Sequence, residues 1–139
     1  MALSIADIHY IAVILSALAS MIIGFLWYGP IFGKMWMSMM GFTSKDMDKA
    51  KQKGVGKYYL TALIGSLITA FVLAYFIEYI NVESVLQALQ FGFWVWLGFI
   101  ATVMLGTVLW EGKPVKLYFL NIMYQLVNIE VMAVILTLW

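Results

Sequence analysis

Four long apolar stretches alternate with polar interruptions along this chain, and their lengths set the architecture. The first runs from about Ile8 to Tyr28, the second from about Tyr58 to Ile80, the third from about Val85 to Trp110 and the fourth from about Val115 to Trp139. A bilayer core about 30 Å thick is crossed by roughly 20 helical residues rising 1.5 Å each, and every stretch meets that length. Only helices and closed barrels satisfy backbone groups in lipid, and runs this continuous are not barrel strands. The pattern predicts an all-α fold: a polytopic membrane bundle of four transmembrane helices forming a single integral membrane domain over residues 1–139. Gly29-Pro30 removes a backbone donor and is expected to stop the first helix, while Gly112 and Pro114 separate the third from the fourth. Ser16 to Ser20 offer small residues of the kind a signal peptidase accepts. No Lys or Arg precedes them and the apolar run continues beyond, so this stretch is expected to remain as a span.

Composition narrows the function classes. Hydrophobic residues make up 65% and charged residues 11%, against about 25% charged in soluble domains. A net charge of +1 supplies no basic field, so no nucleic-acid partner is expected. Without cysteine, and with His9 as the only histidine, the usual thiolate and paired-histidine metal sites are missing. No Gly-x-Ser-x-Gly, phosphate-cradling Gly-x4-Gly-Lys or His-Glu-x2-His motif occurs; neither an enzyme activity nor a cofactor is indicated.

The placement of charge is more informative than its sum. All eight cations are lysines, at 34, 45, 49, 51, 53 and 57 in the loop 31–57 and at 113 and 116 after the third stretch. Asp7, Glu78 and Glu83 occupy the opposite side. By the positive-inside rule the loop 31–57 is expected in the cytoplasm of a multi-pass cell-membrane protein, with both termini outside. Aromatic residues mark the same boundaries, Trp27, Tyr28, Tyr58, Tyr59, Trp110 and Tyr118 on one side, and Tyr10, Tyr79 and Trp139 on the other.

Within the loop, Ile31 to Met40 carries Phe32, Trp36 and four methionines beside Lys34, the composition of a short interfacial segment. Met35, Met37, Met39 and Met40 read as adaptable apolar filler rather than as soft-metal ligands, since no Cys or His accompanies them. Thr43-Ser44-Lys45-Asp46 resembles a helix start with Thr43 or Ser44 as cap, and the lysines that follow are expected to attract anionic lipid headgroups.

Lipid gives helices no hydrophobic reason to associate, so small residues and buried hydrogen bonds must do it. Ala12, Ser16, Ser20 and Gly24 recur every four residues on the first span, Ala62, Ser66, Ala70 and Ala74 on the second, and Gly98, Thr102 and Gly106 on the third. Each ladder is expected to form a ridge of close helix contact. The fourth span carries Asn121, Gln125, Asn128 and Glu130. At 100° per residue the three amides fall within about 60° of one another and Glu130 lies roughly opposite Asn121. Both faces then need protein or water, which suggests a homo-oligomer with this helix near the contact. A carboxylate near mid-membrane costs about 3 kcal/mol on insertion scales, so Glu130 needs a partner, water or a proton. Ser16, Ser20 and Gln90 are the expected partners.

Trp27-Tyr28-Gly29-Pro30, Phe32-Gly33-Lys34, Trp36-Met37, Met40 to Thr43, Trp110 to Pro114, and Asn121 followed by Tyr124-Gln125-Leu126 resemble, in combination, a family of small four-span membrane proteins. That family is catalogued only as a domain of unknown function, mainly in bacteria with some fungal members. The resemblance covers nearly the whole chain and supplies no activity or catalytic residue. It implies attention to Trp27, Tyr28, Pro30, Phe32, Gly33, Lys34, Trp36, Glu111, Asn121 and Gln125, whereas Glu130, Met35 and Met39 fall outside its pattern. An inward-opening pocket is expected, with Glu111, Lys34, Asn121 and Gln125 converging inside a ring of Trp27, Tyr28, Trp36 and Trp110. A Lys34–Glu111 ion pair that fixes helix ends is the competing expectation. Asn128 and Glu130 complete the candidate binding residues. The leading functional expectation is a homo-oligomer that binds or passes a small hydrophobic or cationic solute; the alternative is an accessory protein that packs against a partner or organises anionic lipid.

Overall fold

The computed structural model describes residues 4–139, which contain helices and no strand. Four helices are long and apolar enough to cross a bilayer: Tyr10–Ile31, Gly56–Tyr79, Val85–Leu109 and Val115–Leu138. The first comprises α1 (Tyr10–Leu26) and a wider π turn at Trp27–Ile31. The connecting loop folds into α2 (Gly33–Met40) and α3 (Ser44–Lys53), and the second span is α4 (Gly56–Tyr79). The third is α5 (Val85–Trp96), a π turn at Leu97–Ala101, a tight turn at Val103–Leu105 and the short α6 (Gly106–Leu109), and the fourth is α7 (Val115–Leu138).

Gly29-Pro30 does not stop the first helix. Pro30 has no N–H for an i→i−4 bond, but the π turn dispenses with that bond: the Phe32 N–H donates to the Trp27 carbonyl, five residues back, at 2.9 Å. The chain breaks only at Phe32. There α2 begins so close to the π turn that a Cβ on Gly33 would stand 2.8 Å from the Tyr28 carbonyl oxygen. Gly41, at φ 76°, ends α2 in the left-handed conformation that glycine adopts without strain.

The first polar helix is closed by a reciprocal cap. The Thr43 hydroxyl accepts from the Asp46 N–H at 3.2 Å, and the Asp46 carboxylate accepts from the Thr43 N–H at 2.9 Å and from its hydroxyl at 2.9 Å. Those bonds, the backbone one foremost, hold the Asp46 carboxyl below the usual carboxylate range. Lys51 and Lys53 in the last turn complement the helix dipole.

The most polar span is the central one. Helix α7 packs against α1, α4 and α5; α1 and α4 also pack on each other, and α5 rests chiefly on α7. Near the end of the bundle where the chain termini lie, Ala12, Val13, Ala70, Leu73, Ala74, Ile77, Ala88, Met132 and Ala133 are each at most 5% exposed and form one core. Small side chains let the helices approach closely there, the arrangement that stabilises bundles in lipid.

The third span departs from its expected ridge. Gly98 and Thr102 are exposed, and the Thr102 hydroxyl is turned back onto the Gly98 carbonyl at 2.8 Å. Contact with α7 instead runs through Ala88, Gly92, Trp96 and, at the end of the π turn, Ala101. The extra residue in that turn moves the contact face one position along the sequence. It also leaves the Ala101 carbonyl for the Tyr118 hydroxyl, which donates to it at 2.6 Å, while the Trp96 indole N–H donates to the Ile122 carbonyl at 2.7 Å. Two side-chain bonds to main-chain oxygens thus fasten the third span to the fourth.

Candidate functional site

On the first two spans the small-residue ladders change role halfway along. The Ser20 and Ser66 hydroxyls meet at 3.2 Å across α1 and α4. On the lysine-bearing side of that bond the two helices leave a cavity of about 710 Å³, with Met21, Ile22, Gly24 and Phe25 along α1 and Tyr59, Ala62 and Ser66 along α4. Tyr124 of α7 forms the back wall. Its hydroxyl lies where a side chain on Gly24 would project, 3.1 Å from an added Cβ. Lys51 reaches the cavity from α3.

Aromatic packing ties this end of the first span to α2 and α7. The Tyr28 ring meets Tyr124 edge-on at 5.1 Å between centroids and Trp36 at 6.1 Å, so the end of the first span, α2 and α7 are braced through one ring. The Tyr28 hydroxyl donates to Asn121 Oδ1 at 2.7 Å, which orients the ring on the cavity wall. Trp27 packs on Phe32 at 4.7 Å and on Tyr124 at 6.2 Å, and Trp36 on Phe42 at 5.5 Å.

Tyr28, Trp36, Asn121 and Trp27 therefore belong to one cluster, and of these Tyr28 lines the cavity. Lys34 and Glu111 are both exposed and form no ion pair, none occurring among the described residues. Trp110, 87% exposed, points away from the ring expected of it. Gln125 is half-buried on α7. Asn128 is buried further toward the termini, its Oδ1 without a partner.

Glu130 sits on the other seam of α7. Its Oε1 is enclosed without a hydrogen-bond partner and occupies the space that a side chain on Gly92 would need. It does not reach Ser16, Ser20 or Gln90: Ser16 is buried on α1 with its own hydroxyl unpartnered, and Ser20 bonds Ser66. Within the chain Tyr28 meets Asn121 on one side of α7 and α5 packs against the other, while Asn128 Oδ1 and Glu130 Oε1 stay without partners.

The sequence reading missed Ser20, Gly24, Lys51, Ala62, Ser66 and Tyr124 as cavity residues. The sequence places four of them in helix contact, and Lys51 among the lysines that set topology and attract anionic headgroups. Their signal was present in the ladders, but nothing in the four-residue period tells a closed ridge from an open groove.

A family model described as Protein of unknown function (DUF1761) matches residues 11–137. No curated protein and no solved structure gives a match. The chain belongs to that family of unknown function.

Proposed function

We propose that this family member is an integral membrane protein that binds a small hydrophobic solute between α1, α4 and α7, with its lysine-bearing end in the cytoplasm. The observation that carries the reading is the cavity of about 710 Å³, within the ~300–1,000 Å³ typical of small-molecule sites. Its walls are mainly apolar, with a few hydroxyls to orient a ligand. No carboxylate is among its lining residues, which favours a hydrophobic solute over a cation. Beyond Ser20 and Ser66 the alanine-rich core closes the bundle, so the geometry supports binding more than passage. The orientation rests on the lysine asymmetry of the loops.

The test is retention of labelled decanol by the protein in phosphatidylcholine nanodiscs, measured against empty discs. Excess retention that is lost in Ala62→Phe, which fills the cavity from α4, is the expected result. Equal retention by loaded and empty discs would overturn the reading. The accessory alternative draws on the exposed Lys45, Lys49 and Lys53 of α3; it predicts dependence on anionic lipid with no solute retained.

A further inference from the structure

The charge at the cavity specifies its ligand further. Lys51 is the one charged residue in the lining, and it comes from a polar helix outside the spans. It joins Gly29 and Tyr59, the lining residues nearest the lysine-bearing ends of the first two spans, so Lys51 marks the mouth. From Gly29 to Ser20 the α1 wall runs nine residues, about 13 Å of depth at 1.5 Å per residue. Along that depth Met21, Ile22, Phe25 and Ala62 offer apolar surface. The far end is stopped by the Ser20–Ser66 bond.

We propose that the cavity takes a single-chain amphiphile with an anionic head, the head on the Lys51 ammonium and the chain lying between α1 and α4 toward Ser20. This rests on the solute-binding reading above and names its ligand class. An ammonium at the rim of a low-dielectric groove favours a carboxylate or phosphate through charge-assisted hydrogen bonds and repels a cationic head. The closed far end limits the site to a chain of moderate length.

The experiment compares labelled decanoate, decanol and decyltrimethylammonium, which share a chain and differ in head charge, by equilibrium dialysis against protein in phosphatidylcholine nanodiscs and against empty discs. Decanoate is expected to exceed decanol in protein-specific retention, with the cation lowest. Lys51→Gln should collapse the decanoate-to-decanol ratio about tenfold, as loss of a charge-assisted bond implies, and Lys51→Arg should keep it. Lys53→Gln, on the same helix but outside the lining, should keep the ratio too. Equal retention of decanoate and decanol, or a ratio indifferent to Lys51→Gln, would overturn the anionic head while leaving hydrophobic binding intact. If the wild-type protein retained none of the three probes, the solute reading itself would fall. Loss of decanoate retention on replacing phosphatidylcholine with phosphatidylglycerol would assign the groove to a two-chain lipid and overturn the single-chain ligand.

Discussion

Ala62 and Ala70 lie eight residues apart on one face of α4, in the same ladder of small residues, and they do opposite things. Ala70 has no exposed surface and is locked in the core with Ala12, Ala74 and Ala133. Ala62 faces the cavity. The contrast extends to whole halves of the bundle. Toward the termini α1, α4 and α7 meet through alanines; toward the lysines Tyr28, Tyr124, Trp27 and Trp36 pack the end of the first span on α2 and α7, and a cavity separates α1 from α4. A small residue permits close approach, but what enforces or prevents it is the bulk of the third helix's side chain at that level.

The largest effect should come from the matched pair on α4. Ala70→Phe overpacks a filled site and should cost about 1–3 kcal/mol in a reversible unfolding assay in mixed micelles. Ala62→Phe has room to enter and should stay within about 0.5 kcal/mol of the parent. Equal losses at the two positions would erase the distinction between a closed half and an open one.

Glu130 sharpens the closed half. Its Oε1 is enclosed against Gly92 with no partner, so Glu130→Met, similar in length and without the polar group, should raise stability by about 1 kcal/mol in the same assay. A loss would show that something outside the single chain satisfies the carboxyl, as a homo-oligomer would. In the open half, Tyr28→Phe removes the hydroxyl that bonds Asn121 and should cost about 0.6 kcal/mol, the usual size for such a bond between membrane helices. Decanol retention should fall with it if the ring's orientation shapes the cavity wall.

The smallest effect lies outside the spans. The Asp46 carboxyl is held below its ordinary range by the Thr43 N–H and hydroxyl. Its stabilising contribution is therefore complete above the unfolded value near 4, and is lost only as pH falls through the lower folded value. Amide exchange across Ser44–Lys53 should stay constant from neutral pH to about 5 once corrected for intrinsic rates, with fraying confined to more acidic solution. Fraying that set in near neutrality would contradict the reciprocal cap.

The four spans were legible because their lengths and hydropathy are imposed by the bilayer, and the Thr43 cap because its chemistry is local. Pro30 misled because a proline's effect depends on whether its turn keeps the i→i−4 bond, and a π turn leaves no trace in the four-residue pattern. The third ladder failed for the same reason: Gly98 and Thr102 share a period but not the face that meets α7. Tyr28 and Asn121 were found together through the family resemblance, whereas Lys51 was not, because its position depends on how α3 folds back over the spans. Glu111 and Trp110 share the motif-rich end of the chain, yet the loop carries them outward.

Because the chain has no cysteine, single-cysteine variants read the contrast between the two halves without background. The most direct measurement is labelling of Ala62→Cys and Ala70→Cys by a membrane-impermeant maleimide in sealed vesicles of known orientation. Ala62→Cys should react when the lysine-bearing side is exposed to reagent and be protected in the opposite orientation, while Ala70→Cys stays unlabelled in both. Equal labelling of the two, or reaction of Ala62→Cys from the side of the termini, would contradict a bundle closed at one end and open toward its lysines.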